Sequence, residues 1–302
     1  MSREKIRNIR TSPLRELALN GYFKERKERT LDTIRRAAQV LKLICRDRPD
    51  IGVTEVATAF GISPSTAHEL LSSLADEGLL RRTSSRRYQL GWALFALSQT
   101  LLETSCLLQG ARPVMEELVA GWGETTHLAV LVDGQVLYVE RLQGDRALEI
   151  VLSRVGNRLP AHCSGVGKVL LAHRPWEEVL AIVERQGLPA FTPNTITSID
   201  LLAAELERVR RQGYAYDQEE VMIGLCCAAA PIVDRRKQVI AAMSLSVPAY
   251  RFYPNQQRLT TAIVDAARRV SERIESFEEE QLWQTRTESR SRSSARATSV
   301  RT

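Results

Sequence analysis

At 302 residues, 44% hydrophobic and 26% charged, the chain is long enough for one sizeable core plus a smaller one and globular through most of its length. Five cysteines without regular spacing argue against a disulfide framework and for a reducing compartment, and no run approaches the roughly 18 apolar residues of a membrane span. The net charge of +6 is uneven: residues 1–92 hold 18 Lys/Arg against 11 Asp/Glu, 93–280 hold 19 against 24, and 281–302 hold 5 against 1, a basic head on an acidic body that fits a nucleic-acid-binding module joined to a domain with another task.

Residues 1–29 lack an apolar signal core and read as a flexible polar arm, so the protein is expected in the cytoplasm. Leu31, Ile34, Ala38, Leu41 and Cys45 then recur at helical steps up to Pro49. In "VTEVATAFGISPSTAHELLSSLADEGLL", Thr54 can cap a short helix that Gly61 ends. Ser63 and Pro64 open a second, with Ala67, Leu70, Leu71 and Leu74 inward and Ser65, Thr66, His68, Glu69, Ser72 and Ser73 outward. That is a helix-turn-helix. "LLRRTSSRRYQLG" follows as a two-stranded wing whose arginines, Arg81, Arg82, Arg86 and Arg87, would repel one another without anionic partners such as phosphates.

Helical periodicity resumes over 92 to about 120, with a break expected between Gly110 and Pro113. Two apolar runs around Asp133-Gly134 form a hairpin, and "ALEIVLSRVG" reads as another strand. Helices are expected in "SGVGKVLLA", after Pro175 and at 199–212, with strands at 214–217, 225–233 and 238–247 and a last helix from 256 to about 280. Hairpins interleaved with helices define a mixed α+β domain around a central antiparallel sheet. Residues 281–302 read as a disordered Ser/Arg-rich tail.

From about Thr30 to Ser276 the chain resembles the IclR family of bacterial transcriptional regulators, through "LPAHCSGVGKVLLA", "VRRQGYAYDQEE", "GLCCAAAPIVD" and "AAMSLSVP" in that order behind the winged helix-turn-helix. The resemblance implies a homodimer, often a tetramer, with a GAF-like C-terminal domain that binds a small organic acid. Glu69 stands where the family commonly has a basic residue; a carboxylate there disfavours phosphate but can accept from a cytosine amino group.

"SGVGK" is not a phosphate loop, because Val169 follows Lys168 and His162 stands where the first glycine belongs. What remains is a helix N-terminus, which either favours a carboxylate or is simply capped. Cys226 and Cys227, adjacent on a strand, point to opposite faces, so they form neither a redox pair nor a metal site. If residues 234–237 make the turn and Val233 faces Gln238, Cys227 lies opposite Ser244 and Leu225 opposite Ser246, one face carrying Cys227, Ser244 and Ser246 while Met243, Leu245 and Val247 cover the other. A bound acid or nearby backbone could satisfy these polar groups. In the family, positions matching Gly165, Val166, Asp217, Cys227, Ser244 and Ser246 line the effector site, and those matching Leu148, Val151 and Leu159 close it. Asp217 is then either protonated or accepts from a ligand hydroxyl; a turn cap is its plainer reading. Glu219, Glu220 and Arg251 read as solvated or interdomain charges.

The expected organisation is an arm (1–29), a winged helix-turn-helix domain (30–92), a linker helix (93–106), an effector-binding GAF-like domain (107–280) and the tail (281–302). DNA contacts are expected from Ser63, Ser65, Thr66, His68, Glu69, Ser72, Arg36, Arg81, Arg82, Arg86 and Arg87 on a double-stranded operator, making the protein nucleoid-associated when bound. No catalytic, metal or cofactor site is expected. The rival reading is a metabolite-binding sensor or enzyme without sequence-specific DNA binding, for which Cys227 with His162 is the only arrangement to name.

Overall fold

The computed structural model describes residues 32–45, 48–147 and 152–299, with side chains to residue 279 except 278. The arm (1–29), Leu31, Leu148 and Val151 lie outside the described residues. The chain divides into two compact units between Thr104 and Ser105.

In the first unit, α1 (Asp32–Leu43), α2 (Val53–Phe60) and α3 (Pro64–Asp76) precede a ribbon of β1 (Leu80–Arg82) and β2 (Tyr88–Leu90), and α4 (Trp92–Thr104) follows. The core joins Val40, Leu43, Ile51, Val56, Leu71 and Leu74 to Leu80 and Tyr88 of the ribbon. The stripe expected on α1 is corrected: Ile34 is 61% exposed and Ala38 and Cys45 are exposed, because Val40, Leu43 and Ile44 turn the helix by their larger buried area. Gly52, not Thr54, is the N-cap of α2; its N–H donates to the Glu55 carboxylate at 3.1 Å. Ser63 caps α3 as expected, accepting from the Thr66 N–H at 3.1 Å with Pro64 in the first turn. Gly91 cannot carry a side chain, since a Cβ there would lie 2.0 Å from the Gly78 carbonyl oxygen.

The second unit is built on a six-stranded antiparallel sheet in the order β5-β4-β3-β8-β7-β6, from β3 (Thr125–Val132), β4 (Gln135–Leu142), β5 (Arg158–Pro160), β6 (Ala215–Gln218), β7 (Leu225–Val233) and β8 (Val239–Pro248). α5 (Cys106–Trp122) and α9 (Ala249–Ser299) cover one face, where Val114, Met115, Phe252, Ile263 and Val270 meet Leu128, Cys226, Met243, Leu245 and Val247. α6 (Gly165–Ala172) packs on the other face, with α8 (Ile199–Gln212) against it and α7 (Trp176–Gln186) between them in sequence.

Three expectations change here. The helix break falls at Ser105, whose hydroxyl caps α5 by accepting from the Leu108 N–H; Gly110 instead lets α9 approach, since a Cβ would sit 3.3 Å from Ile274 Cγ1, and Pro113 lies inside the helix. "ALEIVLSRVG" gives no strand in its described part, where Leu152 and Ser153 form a turn; the strand beside β4 is β5. The last helix starts at Ala249 and continues through Ser299, into the stretch read as a disordered tail, because beyond Pro254 no proline or glycine interrupts it.

The β7–β8 register is also corrected. Asp234 and Gln238 close the turn, with Lys237 at φ 60°, which moves the pairing by one residue; Ile240, which has no partner in β7, moves it by another. Cys227 therefore pairs with Ser246 and Ala229 with Ser244, not Cys227 with Ser244 and Leu225 with Ser246. Two one-residue shifts restore the parity, so Cys227, Ser244 and Ser246 share a face and Cys226 lies on the helix-packed side.

Candidate functional site

On the first unit, α3 and the ribbon present a polar surface. Ser63, Ser65, Thr66, His68 and Glu69 are exposed, and the Ser63 hydroxyl lies 2.8 Å from those of both Ser65 and Thr66. Ser72 is half-buried between His68 Nδ1 (3.5 Å) and the Tyr88 hydroxyl (3.4 Å), which ties the helix to the base of the wing. Arg81, Arg82 and Arg86 are exposed, Arg86 with φ 61° at the turn of the ribbon.

Arg87 departs from the expectation that all four wing arginines need external anions. Its Nε donates to Asp50 at 2.5 Å and its Nη2 to Glu55 at 3.0 Å. Arg36 likewise pairs with Asp32 at 2.5 Å, one helical turn away. Glu55 also accepts from Arg48 at 2.7 Å, and the Arg48 hydrogen bond leads the effects that hold its carboxyl down at about 2. A carboxylate held below its unfolded value stabilises the fold above the ordinary carboxylate range and loses that contribution as pH falls toward 2. Glu55→Gln is expected to cost about 1 kcal/mol, since the network is partly open to solvent. Amide hydrogen exchange at 80–90 in the full chain checks this: faster exchange is the expected result, and unchanged exchange shows that the ribbon is held without Glu55.

On the second unit, a cavity enclosing about 370 Å³ of atom-free space, part of it open to solvent, lies between the sheet and the N-terminus of α6. Gly165, Val166, Asp217, Cys227, Ser244, Ser246 and Leu159 all line it. The strand period delivers Cys227, Ser244 and Ser246, and the Asp217–Cys227 pairing brings β6 to the same face. α6 opens beside them because the Ser164 hydroxyl caps it, accepting from the Gly167 N–H at 3.1 Å. Gly167 admits no side chain, as a Cβ would fall 2.1 Å from the Ala161 carbonyl oxygen.

Sequence reasoning missed His127, Tyr138, Leu152, Ser153, Ser164, Val221 and Leu225 in the lining. Ser164 was within reach as the cap of "SGVGK". His127 and Tyr138 were not, because β3 neighbours β8 through a long-range pairing and a bulge at Leu128/Ala129 shifts its register with β4.

No lysine or arginine lines the cavity. Burial, then the charge of Glu220, pushes the Asp217 carboxyl up to about 7, although it accepts from the Glu220 N–H at 2.8 Å in the turn-capping role also foreseen for it. Burial, then Arg141, pulls His127 down to about 3, so its imidazole is neutral. Burial raises the Cys227 thiol well above its ordinary value and keeps it protonated. The Cys227 sulfur lies 2.9 Å from Ser246 Oγ, which lies 3.3 Å from His127 Nδ1. Two buried polar atoms of the lining residues, His127 Nε2 and Ser153 Oγ, have no hydrogen-bond partner among the described residues.

Glu220 is not solvated: it is 5% exposed and bonded to the buried Lys168, whose Nζ also lies 3.4 Å from Glu205. Glu219 accepts from the Gly224 N–H and the Tyr253 hydroxyl, and Arg251 binds Glu124 at 2.7 Å, so neither is a free surface charge. His162, the partner considered for Cys227, is instead 3.1 Å from the Pro189 carbonyl oxygen and does not line the cavity.

A winged helix-turn-helix in one unit, with a cavity in another, defines a DNA-binding transcriptional regulator. Residues 33–84 match the IclR helix-turn-helix domain, and residues 99–272 match the bacterial transcriptional regulator IclR C-terminal domain. The chain is 35% identical to the HTH-type transcriptional regulator XynR of Escherichia coli, over 72% of this chain and 86% of that protein. It is 30% identical to the transcriptional repressor IclR of the same organism, over 80% and 89%. The crystal structure of an IclR homolog complexed with 4-hydroxybenzoate from Microbacterium hydrocarbonoxydans superposes with a TM-score of 0.72 at 28% identity, covering 81% of this chain and all of that one. The chain belongs to the IclR family of transcriptional regulators. Among the described residues, no helix is long and apolar enough to cross a membrane.

Proposed function

We propose that this regulator binds a double-stranded operator as a homodimer, or as a tetramer formed from two dimers, and that a small organic acid in the second unit changes its operator affinity. Residues 30–92 are the DNA-binding domain, 93–106 the linker helix and 107–280 the effector-binding GAF-like domain, in the cytoplasm. α3 enters a major groove with Ser65, Thr66, His68 and Glu69 at base edges and Ser63 and Ser72 beside them, while Arg81, Arg82 and Arg86 meet phosphates. Arg36 and Arg87 support that surface from their ion pairs instead of leaving them for DNA.

The observation that carries the effector reading is the cavity itself, where a helix N-terminus meets two orphaned buried polar atoms. The acid bound by the Microbacterium homolog supports the ligand class. α4 supports the dimer: it has no buried residue and exposes Trp92, Phe95, Leu97, Leu101 and Leu102, which a second copy would cover.

A gel shift on DNA flanking the protein's own gene tests the reading. The wild-type chain is expected to form a salt-sensitive complex that small acids alter, and Thr66→Ala with Arg86→Ala to weaken it by at least about tenfold, the loss of one base contact and one phosphate contact per half-site. Undiminished binding by the double variant overturns the assigned surface. Failure of the wild-type chain to bind leaves the rival reading of a sensor without DNA binding.

A further inference from the structure

His127 is 1% exposed, yet it sits in the wall of the cavity with one ring nitrogen bonded and the other bare. Its Nδ1 meets Ser246 Oγ, and that oxygen meets the Cys227 sulfur. The ring is 5.3 Å from that of Tyr138, another lining residue. A buried nitrogen without a partner costs free energy that a ligand can recover.

The two contacts at Ser246 decide which nitrogen carries the proton. In one arrangement the thiol donates to the serine oxygen and the serine hydroxyl donates to Nδ1, which leaves the proton on Nε2. In the reverse arrangement Nδ1–H donates to the serine and the serine must donate to sulfur, a weak acceptor, while the better acceptor, the imidazole nitrogen, faces the cavity bare. The first arrangement gives the hydroxyl the stronger acceptor. It also supplies an N–H to a cavity that has no cationic side chain to meet an anion.

We infer that His127 orients the ligand through a neutral Nε2–H donated to an oxygen of the bound acid, and that Cys227 and Ser246 are positioning residues that fix the proton on that nitrogen. The N-terminus of α6 takes one carboxylate. His127 and Ser153 then call for oxygen beyond that carboxylate, so the ligand class is a hydroxy- or oxo-substituted acid. This rests on the effector reading above and names which acids the site prefers and why.

The test compares butanoate with 2-hydroxybutanoate and 2-oxobutanoate, and benzoate with 4-hydroxybenzoate, by calorimetric titration of the full chain. In at least one set the oxygenated acid is expected to bind the wild-type chain about tenfold or more tightly than its parent, the discrimination a hydrogen-bonding site shows against an analogue that leaves it unpaired. His127→Met should bring the two within about twofold, whereas His127→Gln, which keeps an N–H at similar reach, should retain most of the preference. A second readout needs no ligand. Nitrogen-15 spectra of the chain labelled at its four histidines should show His127 as the Nε2–H tautomer, and Ser246→Ala should let the Nδ1–H form appear. An Nδ1–H tautomer in the wild-type chain, or a preference unchanged in His127→Met, overturns the inference alone. Failure of every acid to bind the wild-type chain overturns the effector reading and this inference with it.

Discussion

Lys168→Met is expected to destabilise the second unit by about 3–5 kcal/mol at pH 8, the cost of breaking a buried ion pair by removing one partner. Methionine matches much of the lysine's volume, so the loss should reflect charge and not a cavity. Lys168 is 2% exposed, and its ammonium is shared between the buried carboxylate of Glu220 and Glu205. Burial already raises the Glu220 carboxyl, and Lys168 is what opposes the rise. Without the lysine that carboxyl moves further up, and protonation relieves the uncompensated charge. The deficit should therefore shrink as pH falls. Urea unfolding of the full chain at pH 8 and pH 5.5 checks this, and an equal loss at both values would show that the neighbouring carboxylates do not carry the effect.

The opposite result is expected at Asp217. Its folded carboxyl, pushed to about 7, binds a proton more tightly than the unfolded chain does. Its contribution is fully present below the unfolded value near 3.9 and is lost as pH rises through about 7. The loss is on the order of 4 kcal/mol across that window. Asp217→Asn keeps an oxygen for the Glu220 N–H and removes the titration, so the variant should be more stable than the wild-type chain at pH 8 and should lose most of the slope between pH 4 and 7. Any residual slope of the same sign belongs to Glu220, which is also raised by burial. Thermal unfolding at a series of pH values provides the measurement. A variant as pH-dependent as the wild-type chain would place the proton elsewhere.

Much of this architecture is written in local pattern. Ser63-Pro64 opens α3, Asp133-Gly134 turns the β3–β4 hairpin, and two-residue alternation puts Cys227, Ser244 and Ser246 on one face. The misses have a common cause, which is that they depend on contacts between residues far apart in the chain. Arg87 resembles any wing arginine until Asp50 and Glu55 are seen beside it. Glu220 belongs to an acidic cluster in sequence, yet it is buried by a lysine 52 residues earlier. His127 becomes a wall of the cavity only when β3 pairs with β8. Even α1 fails on period alone, because Ile34 and Val40 are equally apolar and only the surrounding helices decide which one is covered.

The extra residue at Ile240 and the turn closed at Asp234 and Gln238 act as a parity device. Either one alone would exchange the two faces of β8, sending Met243 and Leu245 into the cavity and Ser244 and Ser246 against α5 and α9; together they cancel. The length of this hairpin can therefore change without loss of the site only in steps of two. Across related chains, a residue gained or lost in the turn should be matched by one at the bulge.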